Sequence, residues 1–246
     1  MKILAIDTSG PNCSVSIIDN QNVLADFTIN SGTTHSQNLV PMVEQAQKFA
    51  NVELSDIDAF ACSIGPGSFT GLRIGIATIK GFAMSLNKPV LSVPTLLGLA
   101  YNVSNFDGIV CSIIDAKNDN VYAGIYRDIA LYNDANDTHR LELIDEYVSD
   151  NIEVLINKLK DYDGDIIFVG DGINAYRDIL LENLQSDCSN ILFAPEYLNG
   201  QSALSIARAA LDMASKNEFS DYNTLSPLYL KKSQAERELD AKQNKT

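Results

Sequence analysis

Apolar and polar positions along the first half of the chain alternate between two patterns. Short apolar runs bounded by Gly, Asn or Pro are typical of strands, and longer runs with an apolar residue every three or four positions are typical of helices. These patterns predict three strands, a helix, a strand, a second helix and a short strand, at residues 2–7, 13–19, 23–29, 36–50, 57–64, 68–87 and 89–94. The order up to the second helix is β-β-β-α-β-α.

The same order begins again after a linker around residues 102–108. The patterns predict strands, helices and a final helix at residues 110–117, 120–127, 140–148, 151–159, 165–171, 175–184 and 202–216. Two consecutive β-β-β-α-β-α units favour the duplicated, ribonuclease-H-like α/β fold of actin, sugar kinases and heat-shock ATPases, the actin-like or ASKHA fold. We therefore expect a first actin-like subdomain at residues 1–105, a second at 106–230, and a flexible tail at 231–246.

The second helix is unusual because it is apolar on nearly every face. Its polar stripe consists of Arg73, Lys80 and Asn87. Its glycines are Gly71, Gly75 and Gly81. A helix on a sheet surface needs one apolar stripe, so this helix must be covered on more than one side, and the glycines indicate a close backbone approach. The covering element is either another subunit or the rest of the same domain.

The glycine-rich turn before this helix, within GPGSFTGLRIG, does not match three loops that carry catalysis. A phosphate-binding P-loop needs Lys after its last glycine, where Leu72 stands. A dinucleotide fingerprint needs glycine where Thr70 stands and an acidic residue farther on, yet residues 59–106 contain no acidic residue. A nucleophile elbow needs glycines two positions either side of the serine, whereas Ser68 has Pro66 and Thr70 there.

The charge of the chain is concentrated in its second half. The 246 residues carry a net charge of −14, of which −2 falls on residues 1–105 and −12 on the rest. Phosphate neutralisation supplies most nucleic-acid affinity, so this charge argues against a nucleic-acid binder that acts alone. A near-neutral first half is typical of a protein-docking surface. The alternative is that the charge of the chain only reflects the acidic surface common to proteins of a low-pI proteome. The four cysteines lack metal-ligand spacing, and no signal peptide or membrane span is evident, so we expect a cytoplasmic protein.

In the actin-like fold, nucleotide phosphates lie between two β-hairpins. The corresponding turns here follow the first strand, at Asp7, Thr8 and Ser9, and the strand that ends near Asp115. Both turns are imperfect, and the second has no glycine that would let the backbone wrap a phosphate. We therefore interpret them as degenerate phosphate turns. Asp7 and Asp115 either share a magnesium ion with a phosphate or are ordinary turn and strand-end residues.

Motifs spread along the whole chain resemble one family. They are ILAIDTS, HSQNLVPMV, IGPGSFTGLRIGIATIKGFA, DAKNDNVYAGIY, GDG and PLYLKKSQAEREL, which begin at residues 3, 35, 64, 115, 170 and 227. With these motifs the chain resembles the TsaB (YeaZ) family, the companions of TsaD in making threonylcarbamoyladenosine in tRNA. The resemblance implies an actin-like subunit without catalytic residues or cofactor. Such a subunit forms a homodimer when alone, exchanges its twin for TsaD, works with the ATPase TsaE, and meets tRNA only through the complex.

The resemblance also implies an interface on the two helices of the first half. The predicted interface residues are Leu39, Met42, Val43, Ala46, Gly71, Leu72, Arg73, Gly75, Ile76, Ile79, Lys80 and Ala83. TsaD holds a metal with two histidines four positions apart on its first helix, whereas here Leu39 follows His35 at that spacing. The other histidine, His139, lies in a polar segment, so we expect no metal site. His35 is expected to cap the helix or pack at the surface.

Three functions from different classes remain open. The favoured one is a scaffold subunit for threonylcarbamoylation of N6 of adenosine 37 in tRNAs that read ANN codons. An ATPase or kinase of the same fold is opposed by the degenerate phosphate turns. A degenerate glycopeptidase-like protein is opposed by the lack of a nucleophile with a base at recognisable spacing. The tail residues Lys231, Lys232 and Arg237 either contact TsaE or tRNA or belong to a solvated tail.

Overall fold

The first half of the chain forms a five-stranded mixed sheet. The computed structural model describes residues 1–32, 34–129, 140–185 and 188–230. The strands of the first sheet are β1 (Lys2–Asp7), β2 (Cys13–Asp19), β3 (Asn22–Ile29), β4 (Ala59–Ser63) and β5 (Val90–Val93). They lie in the order β3-β2-β1-β4-β5, with antiparallel pairing on the β2 side of β1 and parallel pairing on the β4 side.

The second half repeats this arrangement. Its strands are β6 (Ile109–Asp115), β7 (Asn120–Asp128), β8 (Leu141–Leu143), β9 (Val148–Asn151), β10 (Asp165–Val169) and β11 (Asn190–Phe193). They lie in the order β11-β10-β6-β7-β8, and β9 also pairs with β7. In both sheets the first strand of the unit has an antiparallel hairpin partner on one side and a parallel strand on the other. This duplication confirms the predicted actin-like fold.

Within the described residues, six α-helices cover the two sheets. They are α1 (His35–Ala50), α2 (Phe69–Leu86), α3 (Thr95–Ala100), α4 (Ile152–Leu159), α5 (Ile173–Leu184) and α6 (Ala203–Ser215). The predictions missed α3 and β11 and took β8 and β9 for one strand. The observed order is β-β-β-α-β-α-β-α in the first unit and β-β-β-β-α-β-α-β-α in the second. Both missed elements have six residues or fewer, which is too short to show a clear period.

Helices α3 and α6 lie between the two sheets. Helix α6 packs against β1 and β2, although it follows the second sheet in sequence, and α3 packs against β6 and β7. Ile206 on α6 is fully buried, and a Cβ at Gly98 on α3 would overlap its side chain. The two sheets therefore share one central core. The division into residues 1–105 and 106–230 stays a prediction. Its boundary falls between the two sheets in sequence, but α6 of the second half packs against the first sheet.

The residues after α6 return to the first sheet. Ser220 and Val90 exchange backbone hydrogen bonds, Leu225 is buried, and the amide of Leu228 donates to the carbonyl of Ile64 at 2.7 Å. We call residues 216–230 the C-terminal strap. The predicted flexible tail at 231–246 and His139 lie outside the described residues. Over the part of the chain that the structure describes, no helix is both long and apolar enough to cross a membrane.

We expect Ile206→Ala to destabilise the protein strongly, because it leaves a cavity in the core that both sheets share. The free energy of unfolding, measured by urea denaturation, should fall by about 2–5 kcal/mol. Leu192→Ala on β11 is the matched control, because Leu192 is 40% exposed and should cost less than about 1 kcal/mol. Equal losses in the two variants would contradict the shared core.

Candidate functional site

The predicted site residues converge where the ends of β1 and β4 meet. These strands are parallel neighbours, so Asp7 at the end of β1 and Ser63 at the end of β4 lie side by side. Oδ1 of Asp7 accepts hydrogen bonds from the Ser9 amide at 2.8 Å, the Ser9 hydroxyl at 2.6 Å and the Ser63 hydroxyl at 2.7 Å. The carboxyl group is therefore a buried structural joint between the two strands.

Burial raises the pKa of Asp7 above its ordinary value. The hydrogen bonds from Ser9 and Ser63 and the nearby His35 act in the opposite direction without cancelling the effect of burial. Burial penalises the charged form because the protein interior solvates a carboxylate less well than water does. The ionised Asp7 therefore makes the folded state less stable than a neutral group of the same shape would.

The turn after Asp7 is packed directly against the start of α2. A Cβ at Gly71 would overlap the carbonyl oxygen of Thr8, and a Cβ at Gly75 would lie 2.5 Å from the Thr8 hydroxyl oxygen. That hydroxyl donates to the Gly71 carbonyl at 2.8 Å. The amide of Ser68 donates to the Ser9 carbonyl at 2.7 Å, and the Ser68 hydroxyl caps α2 by accepting from the Gly71 amide. The glycines thus allow contact with the chain's own turn.

This contact bears on the two explanations of the helix glycines. Gly71 and Gly75 are buried against Thr8, which supports cover by the rest of the same domain on this side of α2, and contact of these glycines with a partner helix stays a prediction. Gly81 is different, because it is exposed and a Cβ there would have no heavy atom within 4 Å. Of the three glycines, only Gly81 leaves open space beside α2.

Two further groups hold the same turn in place. Nε2 of His35, the first residue of α1, lies 2.9 Å from the Gly10 carbonyl oxygen, to which it can donate. The side chain of Gln201 covers Gly10 so closely that a Cβ at position 10 would overlap it. The backbone carbonyl of Gln201 accepts a hydrogen bond from the side-chain amide of Asn12. Gln201 itself is buried. The first degenerate phosphate turn is therefore filled by side chains and backbone of this chain.

The second phosphate turn is also closed upon itself. Asp115 accepts a hydrogen bond from the Lys117 amide at 2.8 Å and forms an ion pair with the Lys117 ammonium group. Although burial acts to raise the pKa of Asp115, the hydrogen bonds from Lys117 outweigh it and lower the pKa. Lys117, Asn118 and Asp119 all have positive φ angles. The backbone therefore makes this turn with three consecutive left-handed residues in place of the glycine that the sequence lacks.

The magnesium hypothesis for Asp7 and Asp115 gains no support from this geometry. The Oδ1 atom of Asp7 accepts three protein hydrogen bonds, and Asp115 is paired with Lys117. Within the described ranges, no three or more His, Cys, Asp or Glu side chains form a group that could hold a metal ion. His35 contacts the turn at the Gly10 carbonyl. The residue one helical turn later is the buried Leu39, so that position holds no second histidine.

Most of the predicted interface residues are buried within this chain. The eight predicted side chains other than Arg73 and Lys80 are between 0 and 6% exposed, and Gly71 and Gly75 are buried as well. These eight are Leu39, Met42, Val43, Ala46, Leu72, Ile76, Ile79 and Ala83. Side chains with so little exposed surface can lose little more of it to a partner, and their direct contact with a partner stays a prediction. Arg73 is exposed and Lys80 is half-buried.

The outer face of α2 carries a different set of residues. Arg73, Ala77, Lys80 and Met84 follow one another at helical spacing, and Met84 is 70% exposed. We call this set, together with Gly81, the outer α2 face. The predicted interface included the two cations of this face but not Ala77 or Met84. On a helix that is apolar all round, the sequence does not show which apolar residues face outward.

An aromatic pair at the start of α2 was also missed. The ring of Tyr229, in the C-terminal strap, stacks on the ring of Phe69 with centroids 4.5 Å apart and an interplanar angle of 10°. Nε of Arg73 donates to the Tyr229 hydroxyl at 3.2 Å, and its guanidinium carbon lies 5.7 Å from the Phe69 ring centroid. Because 156 positions separate Arg73 from Tyr229, no local pattern could have predicted the contact.

Comparisons with known proteins match the chain to proteins described as TsaD, TsaB and YeaZ. A family model described as TsaD, tRNA N6-adenosine threonylcarbamoyltransferase, matches residues 22–239. The tRNA threonylcarbamoyladenosine biosynthesis protein TsaB of Bacillus subtilis is 28% identical over 96% of this chain and 96% of its own length. The Escherichia coli protein of the same name is 33% identical over 73% of this chain and 75% of its own. The structure of YeaZ from Pseudomonas aeruginosa matches with a TM-score of 0.74 at 27% identity, over 93% of this chain and 99% of that one.

We expect alanine at two glycines of α2 to have opposite effects on stability. Gly71→Ala places a Cβ onto the Thr8 backbone, which must shift, so the free energy of unfolding should fall by about 1–3 kcal/mol. Gly81→Ala adds a Cβ in open space and should raise it by up to about 1 kcal/mol, because alanine favours the helix. Urea denaturation of both variants measures the difference. A stable Gly71→Ala protein would show that α2 does not depend on this contact.

Stability should depend on pH through Asp7. Its pKa is raised in the folded state, so the neutral form favours folding, and the folded state loses that advantage as pH rises above the unfolded value of 3.8. Asp7→Asn should therefore be more stable than the wild type near pH 7, with a difference that shrinks toward about pH 4 in urea titrations. Asp115→Asn is the control of opposite sign, because the pKa of Asp115 is lowered in the folded state. That variant should be less stable than the wild type near pH 7, with a deficit that is complete above the unfolded value of 3.8 and disappears as pH falls through the lower folded pKa.

Proposed function

This chain belongs to the TsaB (YeaZ) family of tRNA threonylcarbamoyladenosine biosynthesis proteins, and we propose that it is the non-catalytic scaffold subunit that binds TsaD. In this proposal TsaD performs the threonylcarbamoylation of N6 of adenosine 37 in tRNAs that read ANN codons, and the ATPase TsaE binds the pair. The chain forms a homodimer when TsaD is absent and meets tRNA only within the cytoplasmic complex.

The observation that carries the proposal is the filling of the first phosphate turn. Phosphate binding in this position needs free backbone amides around a turn that can open. Here the Ser9 amide donates to Asp7, the Ser9 carbonyl accepts from Ser68, and Gln201 covers Gly10. The residues that would surround a phosphate thus hold the fold together. This supports a structural role and opposes the ATPase or kinase alternative.

The outer α2 face is the proposed contact with TsaD. It presents exposed apolar surface at Ala77, between the cations Arg73 and Lys80, and at Met84, one helical turn beyond Lys80. Gly81 beside them lets another backbone approach, since no heavy atom of the described residues outside its own helix lies within 4 Å of the position of its missing Cβ. Ile76 and Ile79, which were predicted as interface residues, are buried and support this face from beneath. Of the two helices predicted to form the interface, this proposal uses α2, and of its predicted residues it keeps Arg73 and Lys80 as direct contacts.

We expect Gly81→Leu to separate binding from folding. Leucine at an exposed helical position should keep or raise the melting temperature, because it removes the helix cost of glycine, of about 1 kcal/mol. The added bulk should abolish capture of TsaD in a pull-down and threonylcarbamoyladenosine formation in a reaction reconstituted with TsaD and TsaE. Melting temperature, pull-down and modified nucleoside content are the three measurements.

Glu182→Leu is the matched control for this experiment, because Glu182 is an exposed helical residue on α5 of the second half. It should bind TsaD and support modification as the wild type does. Normal TsaD binding by Gly81→Leu would remove the outer α2 face from the interface. Nucleotide binding with turnover by the isolated chain, tested by calorimetry, would overturn the non-catalytic role.

A further inference from the structure

The outer α2 face lies in a segment without negative charge. Residues 59–106 contain no Asp or Glu, although the whole chain has a net charge of −14. The cations of this segment are Arg73, Lys80 and Lys88. None of the ion pairs between described residues includes Arg73 or Lys80. The outer α2 face is therefore a cationic stripe whose charges are not neutralised by the rest of the described structure.

Arg73 is held in one orientation from two sides. Its Nε donates to the Tyr229 hydroxyl, and its guanidinium group lies over the ring of Phe69, on which Tyr229 stacks. Tyr229 is fixed in turn, because the neighbouring Leu228 donates its amide to the Ile64 carbonyl. One donor of the guanidinium group is used inside the chain. Its terminal nitrogens make no hydrogen bond to the described residues and are available to an outside acceptor.

We propose that Phe69, Arg73 and Tyr229 form a preorganised clamp for a carboxylate of the partner. The proposal rests on the proposed function, in which TsaD docks on the outer α2 face. Arg73 would bind an acidic side chain of TsaD through its two terminal nitrogens, and Lys80, two helical turns away, would face a second acidic group. A guanidinium group that is already oriented loses less conformational entropy on binding than a free arginine does.

The chemistry of the face favours an acidic protein surface over tRNA phosphates. A nucleic-acid contact of useful affinity neutralises several phosphates, but this face has only two cations in a strongly acidic chain. It exposes Ala77 between the two cations and Met84 one helical turn beyond Lys80, and Met84 is 70% exposed. Apolar residues flanked by Arg and aromatic side chains are typical of the centre of a protein interface.

Titration of TsaD with the full chain and its variants tests the clamp. Arg73→Glu should weaken binding by about 30-fold or more, because it places like charges together. Arg73→Lys keeps the charge but loses the planar fork, and should cost about 10-fold. Tyr229→Phe keeps the ring stack and removes only the hydrogen bond to Nε, so a loss of about 2- to 10-fold is expected. Each variant should keep the wild-type melting temperature, because Arg73 and Tyr229 are both exposed.

Arg127→Glu, an equal charge change at an exposed residue of β7, is the matched control and should bind TsaD as the wild type does. The affinity of the wild type should fall with added salt, and that of Arg73→Glu should fall less. Equal affinities for Arg73→Glu and Arg127→Glu would overturn the clamp while leaving TsaD binding intact. Loss of tRNA binding with normal TsaD binding would assign the stripe to nucleic acid instead. If the wild type did not bind TsaD, the proposed function and the clamp would both fall.

Discussion

The structure depends on the close approach between the turn after β1 and the start of α2. No side chain fits at position 71, because it would overlap the Thr8 carbonyl, and the Thr8 hydroxyl in turn donates to the Gly71 carbonyl. Beneath this contact the Asp7 carboxyl group joins the ends of β1 and β4 through Ser63. Only a short turn separates β4 from α2, so the contact determines both where the helix lies and which face remains outside.

The same contact explains why an actin-like fold can serve as a scaffold. A turn that must surround a phosphate needs space and free amides, whereas a turn that supports a helix needs to be filled and hydrogen-bonded. In this chain the second requirement is met, since Ser68, His35 and Gln201 each contact the turn at Ser9 or Gly10. Filling the turn fixes the position of α2. It thereby fixes the outer α2 face, on which the proposed docking depends.

The sequence was sufficient for the duplicated fold because its strands and helices follow clear periods, and β1, β2 and α2 lie within one residue of their predicted bounds. It was insufficient for the direction of α2. A helix apolar on nearly every face has no period that separates a partner from its own core, and Ile76 and Ile79 were assigned to the interface although both are buried. The deciding contact, between Thr8 and Gly71, joins residues 63 positions apart, and no local pattern records it.

The C-terminal strap connects the separate parts of this arrangement. Ser220 pairs with the edge strand β5, Leu225 enters the core beneath α1 and α2, and Tyr229 orients Arg73 on the outer α2 face. One residue later, the Leu230 carbonyl accepts a hydrogen bond from Ser149 on β9 of the second sheet. The strap therefore touches both sheets at the amino-terminal end of the proposed docking face. A partner that binds there would contact a surface whose shape depends on both halves of the chain, and this is a physical reason why the proposed scaffold role needs the whole duplicated fold.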